Sequence, residues 1–308
     1  MLVPAADHKK EVFYLNGKKH MGIVYILLAA LCFSGMTLFV RLSGNLTTAQ
    51  KCVFRNLPAV FIAGLSMKRQ GIGLKVDKVN RFSMAMRCVC GTLGMVCNFY
   101  AIDHLVLTDS NMLNKLSPFF AILLSYFILK ESLTAAQVLG VAAAFCGALM
   151  IIKPSFTNVA FFPALLGALG GLGAGTAYTF VRKMGQNNES GKRIVFYFSA
   201  FTCLCTIPWA IATWKPMSLS QFLILMCAGL CGAGGQFSIT KAYYYAPARE
   251  LSVYDYSQVI FAAMWGFIFF DQIPDLLSVC GYIVIIGAAV VMFMYNNAKG
   301  PFRHRDMA

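Results

Sequence analysis

Apolar residues gather into ten runs of about twenty residues, each fenced by polar or charged positions. The runs cover residues 21–40, 49–67, 83–101, 107–129, 134–152, 160–181, 193–213, 219–242, 249–270 and 274–295. At 1.5 Å rise per residue, about twenty helical residues cross the roughly 30 Å of bilayer hydrocarbon. The pattern therefore predicts an all-α polytopic membrane protein with ten transmembrane helices. The first run follows a polar stretch and continues too long for the apolar part of a cleavable leader, so it is read as a retained span.

The charges between the runs set the orientation. With the N-terminus inside, 18 Lys and Arg fall on the cytoplasmic side and four (Arg41, Lys51, Lys153, Lys215) on the outer side. Loops rich in Lys and Arg stay in the cytoplasm, which predicts both termini there. Two glycosylation-type triplets, at Asn45 and Asn188, read as chance matches under this topology.

Composition sharpens the picture. Apolar residues make up 58% of the chain and charged residues only 12%, about half the usual share for a soluble domain. The net charge of +14 could point to nucleic acid, but the positive residues cluster between spans and form no basic stripe. Nucleic acid is therefore excluded as a partner, and the lipid bilayer is expected as one. The 11 cysteines all lie in predicted spans without metal-ligand spacing and read as small buried thiols. Four scattered histidines complete no metal motif, so neither a metal nor a cofactor is expected.

The chain also resembles itself. At an offset of 141 residues, Phe39-Val40-Arg41 falls on Phe180-Val181-Arg182, Cys90-Gly91 on Cys231-Gly232, and Gly94 on Gly235. Further along, Phe120-Ala121 falls on Phe261-Ala262 and Gly140 on Gly281. Each repeat would hold five spans. Five is odd, so the second half would enter the membrane from the opposite side, giving two inverted-topology five-helix repeats. The predicted organisation is a cytoplasmic tail at 1–20, a first repeat at 21–152, a second at 160–295 and a cytoplasmic tail at 296–308.

The segment 101–151 carries a Ser117-Pro118 step, a Lys130-Glu131 span end, and Leu133, Gln137, Gly140 and Gly147 beyond it. It resembles the EamA-type module of the drug/metabolite transporter superfamily. Arg55-Asn56-Leu57 resembles the family's arginine in the second span. The second half, from Thr240-Lys241-Ala242 to Phe270-Asp271, is similar but degenerate, with Gln258-Val259 in place of Ser-Pro and Gln272 in place of the glutamate. It also resembles the organic-anion branch of solute carrier family 35. The resemblance covers nearly the whole chain and implies ten helices around a central cavity. Amino acids, organic acids and nucleotide sugars are all moved by this superfamily, so membership does not choose a substrate.

Charges placed within a bilayer are costly and tend to be functional. Arg55 and Lys115 lie about two turns inside their spans. Arg87, one turn from a predicted span end, is read as reaching the interface along its stem. Lys241 could do the same or face a cavity. On a helix, Thr108, Asn111 and Lys115 share one stripe with Asn114 beside it. The matched stripe is Arg249, Ser252 and Tyr256 with Asp255 beside it. A polar arc in an apolar helix must face water or protein, as a cavity wall or an interhelical seam. Asp255 is the one deep carboxylate, read as a counter-ion to Lys115 or Lys241 or as a proton carrier. Asn98, Tyr100, Gln236, Tyr244 and Tyr256 are further candidate liners, each with packing as its alternative. The glycines at 91, 94, 167, 171, 175, 232 and 235 read as points of close helix approach.

These features predict a secondary active or facilitative exporter of a small polar metabolite, anionic or zwitterionic, working by alternating access. A lipid flippase or scramblase is the alternative. A membrane-embedded enzyme is less favoured, because no paired acids, metal cluster or nucleophile with a base is visible. A coupling ion (H+ or Na+) and a homodimer are left open. The cell (plasma or inner) membrane is the expected location.

Overall fold

The computed structural model describes residues 5–130, 134–152, 160–246 and 248–298, and no strand occurs among them. Glu131 and Leu133 of the motif, Lys153 and the basic residues after 298 lie outside the described residues, as do the side chains of Arg249 and Ser252. Twelve helices follow one another among the described residues. The first six are α1 (Ala5–Leu42), α2 (Thr48–Arg69), α3 (Lys78–His104), α4 (Leu107–Asn114), α5 (Ser117–Leu129) and α6 (Ala135–Ile152). The second six are α7 (Phe161–Gln186), α8 (Gly191–Ala212), α9 (Leu219–Tyr245), α10 (Ala248–Asp255), α11 (Ser257–Phe270) and α12 (Leu276–Ala298).

Among the described residues, eight stretches are long and apolar enough to cross a membrane: His20–Leu42, Lys78–His104, Leu107–Leu129, Phe161–Gln186, Gly191–Ala212, Leu219–Tyr245, Val253–Phe270 and Leu276–Tyr295. The other two predicted runs lie in α2 and α6. In α2 the buried Gln50, Lys51, Arg55 and Asn56 dilute the hydropathy, and the apolar part of α6 is short.

Apolar and polar side chains are distributed as in a lipid-solvated protein. Phe61, Leu93, Leu204, Ile211 and Ile283 are large, apolar and exposed, while Arg55, Asn56, Arg87, Asn111, Lys115 and Gln236 are buried. With no water in the hydrocarbon layer, polar groups must find partners inside the bundle. Three cysteines depart from the expected burial: Cys146, Cys205 and Cys227 are exposed, on the same outward surface as the apolar residues. A thiol is apolar enough to tolerate lipid.

Two runs predicted as single spans are interrupted. The fourth breaks between α4 and α5 at Lys115 and Leu116, and the ninth breaks between α10 and α11 at Tyr256. The second helix of each pair ends on a left-handed residue, Lys130 (φ 56°) and Asp271 (φ 49°), which are 141 residues apart. The same 141 residues separate Lys78–His104 from Leu219–Tyr245 and Leu107–Asn114 from Ala248–Asp255.

Packing pairs helices across the two halves. The most extensive contacts are α3 with α7 and α1 with α9. Matched helices also touch each other, α2 with α8 and α6 with α12, and they run antiparallel: Gly140 lies beside Met292 while Gly147 lies beside Gly281. A Cβ added to Gly281 would sit 2.7 Å from the Gly147 carbonyl oxygen, so these backbones approach as closely as glycine allows. The matching is uneven, for α2 packs on α9 more extensively than α8 does on α3.

Polar contacts tie elements together at each end of the bundle. At one end Lys51 pairs with Asp103 (2.6 Å), Gln50 donates to the Lys215 carbonyl (2.8 Å), and Arg41 donates to the carbonyls of Ile102 and Leu105. At the other, Asn80 donates to Glu189 (3.2 Å), Asn187 donates to Asn80 (2.8 Å), and Tyr197 donates to the Leu74 carbonyl (2.6 Å).

Candidate functional site

Between the halves lies a narrow cavity of about 70 Å³. Its walls come from both halves, with Arg55 of α2, Arg87 of α3, Lys115 at the first break, Tyr178 of α7, Phe198 of α8 and Gln236 of α9.

Lys115 and Asp255 join the two helix breaks. The Lys115 ammonium lies 2.7 Å from Asp255 Oδ1, and both side chains are almost wholly buried (4% and 2% exposed). The Tyr256 hydroxyl donates to the Lys115 carbonyl (3.0 Å), an oxygen that the break has released from the helix. Gln258 Nε2 donates to Asn111 Oδ1 (2.7 Å), while the Asn111 amide donates back to the Leu107 carbonyl (2.8 Å). Pro118 stands in the first turn of α5, where its missing N–H costs nothing. The breaks thus face each other and are pinned by one ion pair and two hydrogen bonds. Of the partners considered for Asp255, its contact is with Lys115; Lys241 lies elsewhere.

Two arginines share an aromatic ring. The guanidinium carbons of Arg87 and Arg55 lie 3.9 Å and 5.7 Å from the centroid of the Phe198 ring. Arg55 donates to Asn56 Oδ1 (2.7 Å) and Gln236 Oε1 (3.3 Å), both neutral acceptors. Arg87 Nε is buried without a hydrogen-bond partner among the described residues. Glycines provide room for both heads. A Cβ on Gly91 would sit 2.1 Å from Arg87 Nη1, and a Cβ on Gly232 would sit 3.0 Å from Arg55 Nε. Gly91 and Gly232 make slots for arginine side chains and also admit side chains of neighbouring helices, Phe198 of α8 beside Gly91 and Met36 of α1 beside Gly232. Gly94 and Gly235 do serve close packing, against the α7 backbone and the Phe33 ring.

The cavity brings together Arg55, Asn98, Asn114, Lys115 and Gln236 from the predicted set, with Asn111, Asp255 and Tyr256 bonded just behind its wall. Three residues stand apart. Tyr100 stacks on His104, Tyr244 is exposed, and Lys241 is exposed with its ammonium donating to the Tyr25 hydroxyl (3.1 Å). The main correction is Arg87. It does not reach an interface but is 2% exposed and turned into the cavity. The reason is that α3 starts at Lys78, a full turn before the predicted span, so Arg87 lies deeper than its distance from the apolar run implies. Sequence reasoning also passed over Tyr178, Phe198 and Gln258. Gln258 alone left a trace, as the residue standing where the Ser-Pro step would recur.

Among the described residues no group of His, Cys, Asp and Glu could hold a metal ion. What the arrangement can do is hold a small polar solute between two halves and screen it from lipid.

Known proteins share this organisation. The EamA-like transporter family matches residues 20–153 and again residues 161–294. A pseudopaline exporter, CntI, of Pseudomonas aeruginosa is 31% identical, over 88% of this chain and 95% of its own. Solute carrier family 35 member G1 of Homo sapiens is 27% identical, over 91% of this chain and 81% of its own. A solved crystal structure shares the fold at 13% identity, with a TM-score of 0.66 over 91% of this chain and 98% of that one. With the family matched along both halves and a relative of 31% identity spanning most of its length, this chain belongs to the EamA-like transporter family and is a membrane transporter, not an enzyme.

Proposed function

We propose that this transporter is a secondary active or facilitative exporter of a small anionic or zwitterionic metabolite. It crosses the cell membrane ten times as two inverted five-helix repeats with both termini in the cytoplasm, and works by alternating access around the central cavity. One observation carries the substrate class: three buried cations, Arg55, Arg87 and Lys115, meet the cavity, and a single acid, Asp255, is bonded to one of them. Buried charge of one sign calls for an opposite charge on whatever enters.

The repeat supports alternating access. Helix boundaries recur at one offset, and matched helices run antiparallel where they touch, as inverted repeats require. Broken helices at matched positions are the usual place for a transporter's binding site. The export direction is supported by the relative named as an exporter. The energy source is a gradient or downhill flow.

The deciding experiment compares metabolites inside and outside wild-type and deletion cells, then reconstitutes the purified protein in liposomes with the solute that accumulates. An anionic or zwitterionic solute retained by the deletion strain and moved by the proteoliposomes is expected. A cationic or lipid solute, or unchanged transport and affinity in Lys115→Ala, would overturn the assignment.

A further inference from the structure

The cavity's positive charge is unevenly compensated. Lys115 has Asp255 at 2.7 Å. Arg55 meets only neutral acceptors, Asn56, Gln236 and the Met36 sulfur. Arg87 rests on the Phe198 face, is 2% exposed and keeps an unpartnered Nε. Neither arginine has a carboxylate partner among the described residues. A buried guanidinium without a counter-charge is unfavourable unless something arrives to complete it.

Building on the proposed transport of an anionic or zwitterionic solute, we infer that Arg55 and Arg87 form a subsite for a substrate bearing two carboxylates. Each guanidinium is a planar fork that matches one carboxylate through two parallel hydrogen bonds. Both guanidinium carbons lie near one ring centroid, at 3.9 and 5.7 Å, and are therefore less than 9.6 Å apart. A short diacid can span that gap with its carbon chain against the Phe198 ring. A zwitterion fits worse. Its ammonium would need a free carboxylate, and Asp255, the acid behind this wall, is already held by Lys115. Gly91 belongs to the subsite as well, because any side chain there would push the Arg87 head out of its slot.

The test uses the purified full-length protein in detergent, with thermal unfolding measured alone and with four- to six-carbon dicarboxylates, alanine or inorganic phosphate. A ligand that binds the folded state raises the unfolding temperature. Dicarboxylates are expected to stabilise the wild type and to outcompete alanine and phosphate by at least tenfold. Arg87→Met removes an uncompensated buried charge. It should unfold at a temperature no lower than the wild type without ligand, while losing the dicarboxylate response. Gly91→Ala and Arg87→Lys keep the positive charge but lose the fork's geometry, and each should weaken dicarboxylate binding tenfold or more. An unaltered dicarboxylate response in Arg87→Met would overturn the subsite, as would stabilisation by phosphate alone. Binding and transport of alanine but of no dicarboxylate would sink the subsite and leave the proposed export intact. A response to none of these ligands would likewise sink the subsite and leave the proposed export intact.

Discussion

The buried pair at the helix breaks makes the sharpest energetic prediction. Lys115 and Asp255 are 2.7 Å apart with 4% and 2% of their side chains exposed, so removing either leaves the other almost out of water. At an effective dielectric of about 20, their direct attraction is roughly 6 kcal/mol, most of which offsets the loss of hydration. Truncating one partner of such a pair typically costs about 3–5 kcal/mol. Here the lower end is expected, about 3 kcal/mol, because Lys115 borders the cavity and water there can reach it. Asp255→Asn and Lys115→Met should each lower the unfolding temperature in detergent sharply. The double variant should recover most of the loss, since no orphaned charge remains. A double-mutant cycle measured by thermal or denaturant unfolding reads the coupling directly. A coupling below about 1 kcal/mol, or a double variant no more stable than the worse single one, would refute the view that this pair clamps the breaks together.

Two further outcomes follow from the packing and one from the proposed topology. Gly232→Ala would place a methyl 3.0 Å from Arg55 Nε and 3.3 Å from Met36 Sδ, so it should cost about 1–3 kcal/mol and impair transport, as read by unfolding and by proteoliposome uptake. Gly281→Val should separate α6 from α12, where even a Cβ would meet the Gly147 carbonyl oxygen at 2.7 Å, and a loss of well over 1 kcal/mol in unfolding is expected. Single cysteines at 75 and 188, in a background without accessible thiols, should react from the cytoplasmic side and those at 45 and 215 from outside. Labelling of 75 and 188 from opposite sides would contradict the proposed topology.

The sequence was informative about length and depth but not about backbone breaks. Span-length apolar runs anticipated helices such as α8 and the start of α9, while α3 begins at Lys78, five residues before its predicted run. Arg55 and Lys115 stood out because a cation two turns inside a span has no cheap escape. Arg87 did not, because depth was counted from the first apolar residue while the helix continues to Lys78. The break at Tyr256 had no local signal: no proline or glycine stands beside it, and it exists because tertiary bonds from Tyr256 and Asp255 to Lys115 hold it open. Lys241 misled for the opposite reason. Its position near a span end left both outcomes open, and its ammonium lies over the Tyr25 ring on the exposed side.

The unequal partnership of α2 with α9 and α8 with α3 has a consequence for the transport cycle. Both seams lie between the halves, so under the proposed alternating access the halves would exchange these unequal contacts. Threading each half onto the shape of the other yields a specific picture of the opposite-facing molecule, in which α8 tightens on α3 as α2 loosens from α9. Crosslinks that hold α2 on α9 at its present distance should therefore stop the transport cycle.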